Sequence, residues 1–381
     1  MLERWNLGAL APSTSITREC PVAVEKRALA DRPPEPAARA DPAGLSRIER
    51  HREIEAQIQE LDDAGLLRLV RGTEVLERGH ATICLPSQDT KVFVKLLPLS
   101  ALELQPRHRR STANLFRLPA HYQYRIGSCG FGTWRELAAH ELANQWVLSG
   151  ACPHFPLLHG WRVLPLVPRG DDDRRSMIPW GNDPAIRRRL SSLEEATSSV
   201  AVFLEHFPQT LSQWLADRLA HDLDPMAVVA ETEANLLELL TFCGDRGLLH
   251  MDAHFENLLT DGEGFFLGDF GLAISQTFSL DAEEREFFEK HRDFDRCTAI
   301  TSLVHAAVSH YDAREDWRGV LRELQDDRQG PIQEIPVAIR AYLAKRGPLA
   351  LEVGEFYRRL LSDLSATEFP TTRLQRVLDE S

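Results

Sequence analysis

The chain has 381 residues, a formal net charge of −13, and 43% hydrophobic and 27% charged residues. That length suits one two-lobed domain or two modest ones, and the acidic excess argues against nucleic-acid binding through the overall field. The six cysteines (Cys20, Cys84, Cys129, Cys152, Cys243 and Cys297) form no C-x-x-C pair and fit no zinc-ribbon spacing, so they are expected to be reduced core residues.

No apolar run is long enough for a membrane span, and "MLERWNLGALAPSTS" lacks a signal-peptide core. The expected setting is cytoplasmic, with no membrane partner. Residues 1–44 are rich in Pro and Ala ("DRPPEPAARADPAG") and are expected to be a disordered tail. "LSRIERHREIEAQIQELDDAGLL" then places Ile48, Ile54, Ile58 and Leu61 at helical spacing,.

From 69 to 98 β-branched residues and the polar turn "PSQDT" predict two or three antiparallel strands,. Val92, Val94 and Leu96 alternate there with Phe93 and Lys95, which puts Lys95 within a strand,. "TWRELAAHELANQWVLSG" (133–150) reads as a helix, with Thr133 as its N-cap candidate and Gly150 at its stop,. Strands are expected in "FPLLHGWRVLPLV" and "SSVAVFLEHF", separated by a charged insertion at 169–193. Helices follow in "TLSQWLADRL" and "AVVAETEANLLELLTFCGDRG", then a hairpin in "ENLLTDGEGFFLGDF", then more helix from 280 to 377,. The strand-rich first part and helix-rich second part predict an α+β fold in two lobes, 45–207 and 208–381.

The chemistry concentrates in "HMDAHFENLLTDGEGFFLGDFG". Asp252 and Asn257 are five apart on a loop entering a strand, so both can face one small volume. Asp252 can accept a hydroxyl proton, and Asn257 offers a neutral oxygen to a hard cation. Asp269 closes the hairpin and can bind the same Mg2+, while Lys95 supplies fixed positive charge for phosphate oxygens.

His250-Met-Asp252-Ala-His-Phe-Glu-Asn257 resembles the H-x-D-x-x-x-x-N catalytic loop of the protein-kinase-like superfamily,. Asp269-Phe270-Gly271 is similar to its metal-binding D-F-G, and "VFVK" ending at Lys95 to its third-strand lysine. The order of these motifs is the family order, and the resemblance spans roughly residues 70 to 305. It implies an ATP- and Mg2+-dependent kinase with a two-lobed fold. It further implies a helix glutamate paired with Lys95. Glu136 and Glu141 are the candidates, about 500° apart around a helix and so not on one face. Glu141 is preferred, because the following "LANQWVLSGACPHFP" resembles the helix end and turn of aminoglycoside-phosphotransferase-type kinases.

The implied glycine-rich loop is reduced here to Gly79 in "VLERGHATICL". "FLEHFPQTLSQWL" resembles the inter-lobe hinge, where backbone groups of Glu205, His206 and Phe207 would meet adenine. "GSCGFG" (127–132) follows Lys95 instead of preceding it and reads as a flexible turn,. "HRDFD" (291–295) comes after the D-F-G, and the position five past Asp293 is Thr298, so it is no catalytic loop. Asp295 there resembles the buried aspartate that hydrogen-bonds the catalytic loop, with a surface charge cluster as the competing reading. His250 and His254 are spaced like a zinc pair but lack an evident third ligand,. "RHRR" (107–110) reads as a solvated loop in preference to a docking site for acidic substrates,.

The expected acceptor is a hydroxyl on a protein or peptide, as for an atypical Ser/Thr kinase. The alternatives are a small-molecule kinase of the aminoglycoside or choline kinase type and a nucleotide-binding pseudokinase scaffold.

Overall fold

The computed structural model describes residues 46–72, 79–85, 90–168, 180, 183–312, 316–325, 335–363, 367–371, 374 and 378. The expected N-terminal tail, residues 75–78 of the glycine-poor nucleotide loop, residues 86–89 of the polar turn and most of the first half of the charged insertion lie outside the described residues.

Two helices lead the described chain: α1 (Arg47–Glu60) and α2 (Asp63–Arg71). Ser46 and Glu49 close a reciprocal capping box on α1, which buries His51, Ile54 and Ile58,. Asp62 caps α2, and Leu66 and Val70, one turn apart, face the sheet,. Residues 69–71, expected to begin a strand, are therefore helical.

Strands β1 (His80–Leu85), β2 (Thr90–Leu99), β3 (Leu158–Leu164) and β4 (Ser198–Glu205) form an antiparallel sheet in the order β1-β2-β4-β3. "FPLLHGWRVLPLV" thus supplies one strand, with a register irregularity between Leu158 and Gly160. The alternation along β2 sends its side chains to two different cores. Val92, Val94 and Leu96 pack with Leu66 and Val70 on one face. Leu97 and Leu99, with Phe93 against them, meet Trp134 and Leu137 of α3 (Thr133–Leu148) on the other. Lys95 belongs to this second, odd-numbered face.

Helix α4 (Pro184–Glu194) occupies the described half of the charged insertion. Then come β5 (Gln209–Thr210), α5 (Leu211–His221), α6 (Pro225–Asp245), β6 (Leu248–Leu249), β7 (Leu258–Thr260), β8 (Phe265–Leu267) and β9 (Ile274–Ser275). Helices α7 (Ala282–Lys290), α8 (Phe294–Tyr311), α9 (Trp317–Gln325) and α10 (Val337–Ser362) complete the fold. Strands β7 and β8 form the expected hairpin, with Leu258 opposite Leu267. The helices share a large apolar core that also takes in Phe116, Tyr122, Tyr124, Ile126 and Phe131. The chain is therefore α+β, with a small antiparallel sheet beside a helical body.

Among the described residues no helix is long and apolar enough to cross a membrane. Cys152, Cys243 and Cys297 are buried free thiols, as expected, whereas Cys84 is exposed at an outward position of β1.

Candidate active site

Lys95 reaches two carboxylates. Its Nζ lies 2.6 Å from Glu136 Oε1 and 2.7 Å from Asp269 Oδ1. Burial alone would lower the lysine pKa, but the two anions raise it above its ordinary value, so the side chain is a fixed cation,. Burial likewise pushes Asp269 up, and the adjacent Lys95 charge reverses this and holds the carboxyl well below its usual range.

The partner of Lys95 is thus Glu136, which corrects the preference for Glu141. Trp134 and Leu137 turn the first two turns of α3 onto the sheet beside Lys95, and Glu136 rides with them. Glu141 leaves from a different face and pairs with Arg110 at 2.6 Å. Glu136 also sits in the first turn of α3, where the helix dipole favours an anion,.

The loop between β6 and β7 is tied at both ends. Asp295, near the start of α8, accepts the amide N–H groups of His250 at 2.6 Å and Met251 at 2.8 Å. Asp295 is thus buried against the loop and is no part of a surface charge cluster, and Met251 beside it has a φ of 63°. Burial lifts the Asp295 pKa to about 6 against those two hydrogen bonds. Burial also lowers His250 to about 4, so its ring is neutral. Nε2–H then donates to the Gly268 carbonyl at 2.8 Å, and Nδ1 accepts the Asp252 N–H at 3.3 Å,. Phe270 packs between the rings of His140, 5.0 Å away, and His250, 5.3 Å away, which links α3 to the loop.

Asn257 donates its amide NH2 to the Asp252 carbonyl at 3.0 Å and the Asp252 carboxylate at 3.1 Å. Its amide oxygen is left as an acceptor. The Gly268 N–H donates to the Asn257 carbonyl at 2.9 Å, so the asparagine and Asp269 lie side by side across the hairpin. Asp269 Oδ1 takes Lys95 and the Gly271 N–H, and 44% of its side chain remains exposed. An amide oxygen and a carboxylate edge suit Mg2+, which keeps several waters and phosphate oxygens and needs only one or two carboxylates from protein. The residues present fit the cation.

Asp252 also meets a cation. Arg125 Nε is 2.9 Å from its Oδ1, and His254 Nε2 is 3.7 Å away. Burial raises the Asp252 pKa to about 7, with Arg125 opposing. Arg125 comes from residues 100–132, between β2 and α3. No motif spacing marks it, although the dense aromatic run "HYQYRIG" signals that its neighbours are packed.

That segment lies along the residues after Asp269. Gln123 donates to the Leu272 carbonyl, and the Ser279 N–H donates to Thr112 Oγ1 at 2.9 Å. Tyr124 Oη is 2.6 Å from His291 Nε2. Gly130 has a φ of 69°, and a Cβ there would stand 2.1 Å from the Gly271 carbonyl oxygen. "GSCGFG" is therefore a close crossing over Asp269-Phe270-Gly271, not the flexible turn expected, and glycine is what permits the approach.

Gly79, just before β1, has a φ of 82°, and a Cβ there would stand 3.2 Å from Pro168 and 3.4 Å from the Leu96 carbonyl oxygen. The Glu205 N–H is committed to the Leu157 carbonyl at 2.9 Å, and its carboxylate to Arg47 at 2.7 Å, so neither is available to adenine. His206 is half-buried, and the Phe207 ring lies 4.1 Å from that of Phe266. No protein-family model and no curated protein matches the chain.

Proposed function

We propose that this protein is an ATP- and Mg2+-dependent phosphotransferase of the protein-kinase-like type, two-lobed, moving the γ-phosphate to a hydroxyl acceptor. The observation that carries this reading is the Lys95 ion pair with both Glu136 and Asp269, beside a loop that presents Asp252 and Asn257. Phosphoryl transfer needs positioned cations and a hydroxyl held in line, and little covalent chemistry from the protein.

In this reading Lys95 neutralises phosphate oxygens while Glu136 fixes its direction. Asn257 and Asp269 would hold Mg2+, and when bound it would supply charge neutralisation at the phosphates. Asp252 orients the acceptor hydroxyl and takes its proton. Buried Asp295 and His250 keep the loop in shape and touch no substrate. Adenine would lie along the backbone of His206 and Phe207.

The test is thermal stabilisation by ATP with and without Mg2+, followed by transfer from labelled ATP. Magnesium-dependent stabilisation with turnover that disappears in Asp252→Asn supports the reading. Equal turnover in wild type and Asp252→Asn removes the role given to Asp252. ATP binding without turnover in either would favour the scaffold alternative.

A further inference from the structure

A cavity of about 430 Å3 opens between α5, the loop from β6 to β7 and α8. Its walls include Leu215 and Leu219 of α5, Phe255 of the loop, and Ser302 and Ser309 of α8. The volume is in the range of small-molecule sites, and the mixture of apolar wall and a few polar groups is the usual composition of one. Two lining residues, Arg125 and His254, are also the two that approach Asp252 Oδ1. Asp252 itself does not line the cavity; these two side chains stand between the cavity and the candidate base.

The chemistry of that wall is set by Arg125. A guanidinium carries five donors on a planar fork. Here Nε faces Asp252, and no hydrogen bond from Nη1 or Nη2 to another described residue accompanies it. The side chain is 29% exposed, and neither Nη is among the buried side-chain atoms that lack a partner. Arg125 is the only Lys or Arg among the described lining residues. His305 is held neutral, its pKa pushed to about 4 by burial and by Arg318. One carboxylate, that of Glu256, also lines the space. A single oxyanion is thus accommodated at Arg125, and a highly charged one is opposed by Glu256.

We infer that this cavity is the acceptor site and that the acceptor is a small hydroxylated molecule carrying a carboxylate or phosphate close to the hydroxyl. The oxyanion docks on the outer edge of Arg125, and the neighbouring hydroxyl then falls beside Asp252, to which the same guanidinium is bound. Arg125 is on this account a specificity-determining residue that places one end of the acceptor. The inference rests on the phosphotransferase reading for the fate of the hydroxyl, but the binding itself can be tested without turnover.

The experiment is a thermal-shift and calorimetric titration of the full chain with D-glycerate, glycerol 3-phosphate, glycerol and a serine peptide amide. It is run with Mg2+ and a non-hydrolysable ATP analogue present, and repeated in Lys95→Met so that Lys95 is not mistaken for the anion site. The two anions are expected to bind and glycerol not, with the carboxylate and phosphate arms deciding which oxyanion is preferred. Arg125→Gln is expected to weaken anion binding at least tenfold, and Arg125→Lys less so; the thermal midpoint of each variant without ligand controls for folding.

Equal binding of glycerol and the anions overturns the inference. So does anion binding that survives Arg125→Gln, or a serine peptide amide that binds while the small anions do not. Anion binding that depends on Arg125 in a protein that never stabilises with the ATP analogue would keep the site and sink the phosphotransferase reading.

Discussion

Lys95 and Arg125 are both cations held against an aspartate, and they arrive by different routes. Lys95 is carried by a strand whose alternation fixes its direction, and it is closed on two acids, Glu136 and Asp269. Arg125 is carried by a segment with little regular structure. Its direction is fixed by its neighbours: Gln123 bonds the Leu272 carbonyl, Tyr124 bonds His291, and Ile126 is buried. The first cation meets two carboxylates and, in the proposed reading, would hold a ligand that brings its own negative charge with a metal. The second meets one carboxylate and, on the inference above, would place an acceptor. In that reading the same charge serves two purposes according to the partners it already has.

The largest effects should come from substitutions that unmake these clusters. Asp252→Asn is expected to lower phosphoryl transfer by about 10²- to 10⁴-fold, and Asp269→Asn by about 10³-fold through loss of a metal ligand. Both are read as initial rates from labelled ATP, and near-wild-type rates would dissolve the distinction between the clusters.

Glu136→Gln is expected to cost about 10-fold or more in kcat/KM for ATP, since Lys95 loses one of the anions that position it. Glu141→Gln, which disturbs only a partly exposed pair with Arg110, should change the same constant by less than about twofold,. The reverse order would return the Lys95 partnership to Glu141.

Gly130→Ala tests the tertiary route. Its positive φ and the close Gly271 carbonyl make the substitution cost about 2 kcal/mol or more, seen as a lower denaturation midpoint,. It should also lower activity by shifting the residues after Asp269. A neutral outcome would show that the crossing is not needed to hold Arg125 and Asp269 in place.

A smaller effect is expected from a buried polar pair that carries no net charge. His51 and His159 approach Nδ1 to Nδ1 at 2.9 Å behind the sheet. Burial holds His159 at about 3, with His51 and Arg47 adding to the depression. Burial also lowers His51, where Glu55 and Glu205 oppose it and Arg47 and Arg52 reinforce it. Because the folded pKa lies below the unfolded value, the stability these rings contribute is present above about pH 6.5. It is lost as the pH falls below that, by about 1 kcal/mol per pH unit for a single ring. Denaturant titrations at pH 7 and pH 5 should show the loss, and His159→Gln should flatten it.

Much of the site was legible because it is encoded at short range. The alternation of Val92, Val94 and Leu96 with Phe93 and Lys95 fixes which face Lys95 joins. The five-residue interval from Asp252 to Asn257 is spanned by one loop. The Asp295 role was visible as one of two readings, and its two amide bonds decide between them. The strand expected from residue 69 failed because Asp62 caps a helix whose Leu66 and Val70 reach the same core.

The sequence by itself determined the elements and the local chemistry: which residues lie on β2, how the loop from His250 to Asn257 is spaced, and that Asp269 ends a hairpin. Only the tertiary structure decided the partners. Glu136 and Glu141 have the same chemistry and lie on one helix, and what separates them is the way Trp134 and Leu137 seat that helix on the sheet. Arg125 is 127 residues from Asp252 in the chain, and no local pattern records a contact across such a distance. Periodicity and spacing describe the chain along its length, whereas ion pairs depend on which faces the packing of the core brings together.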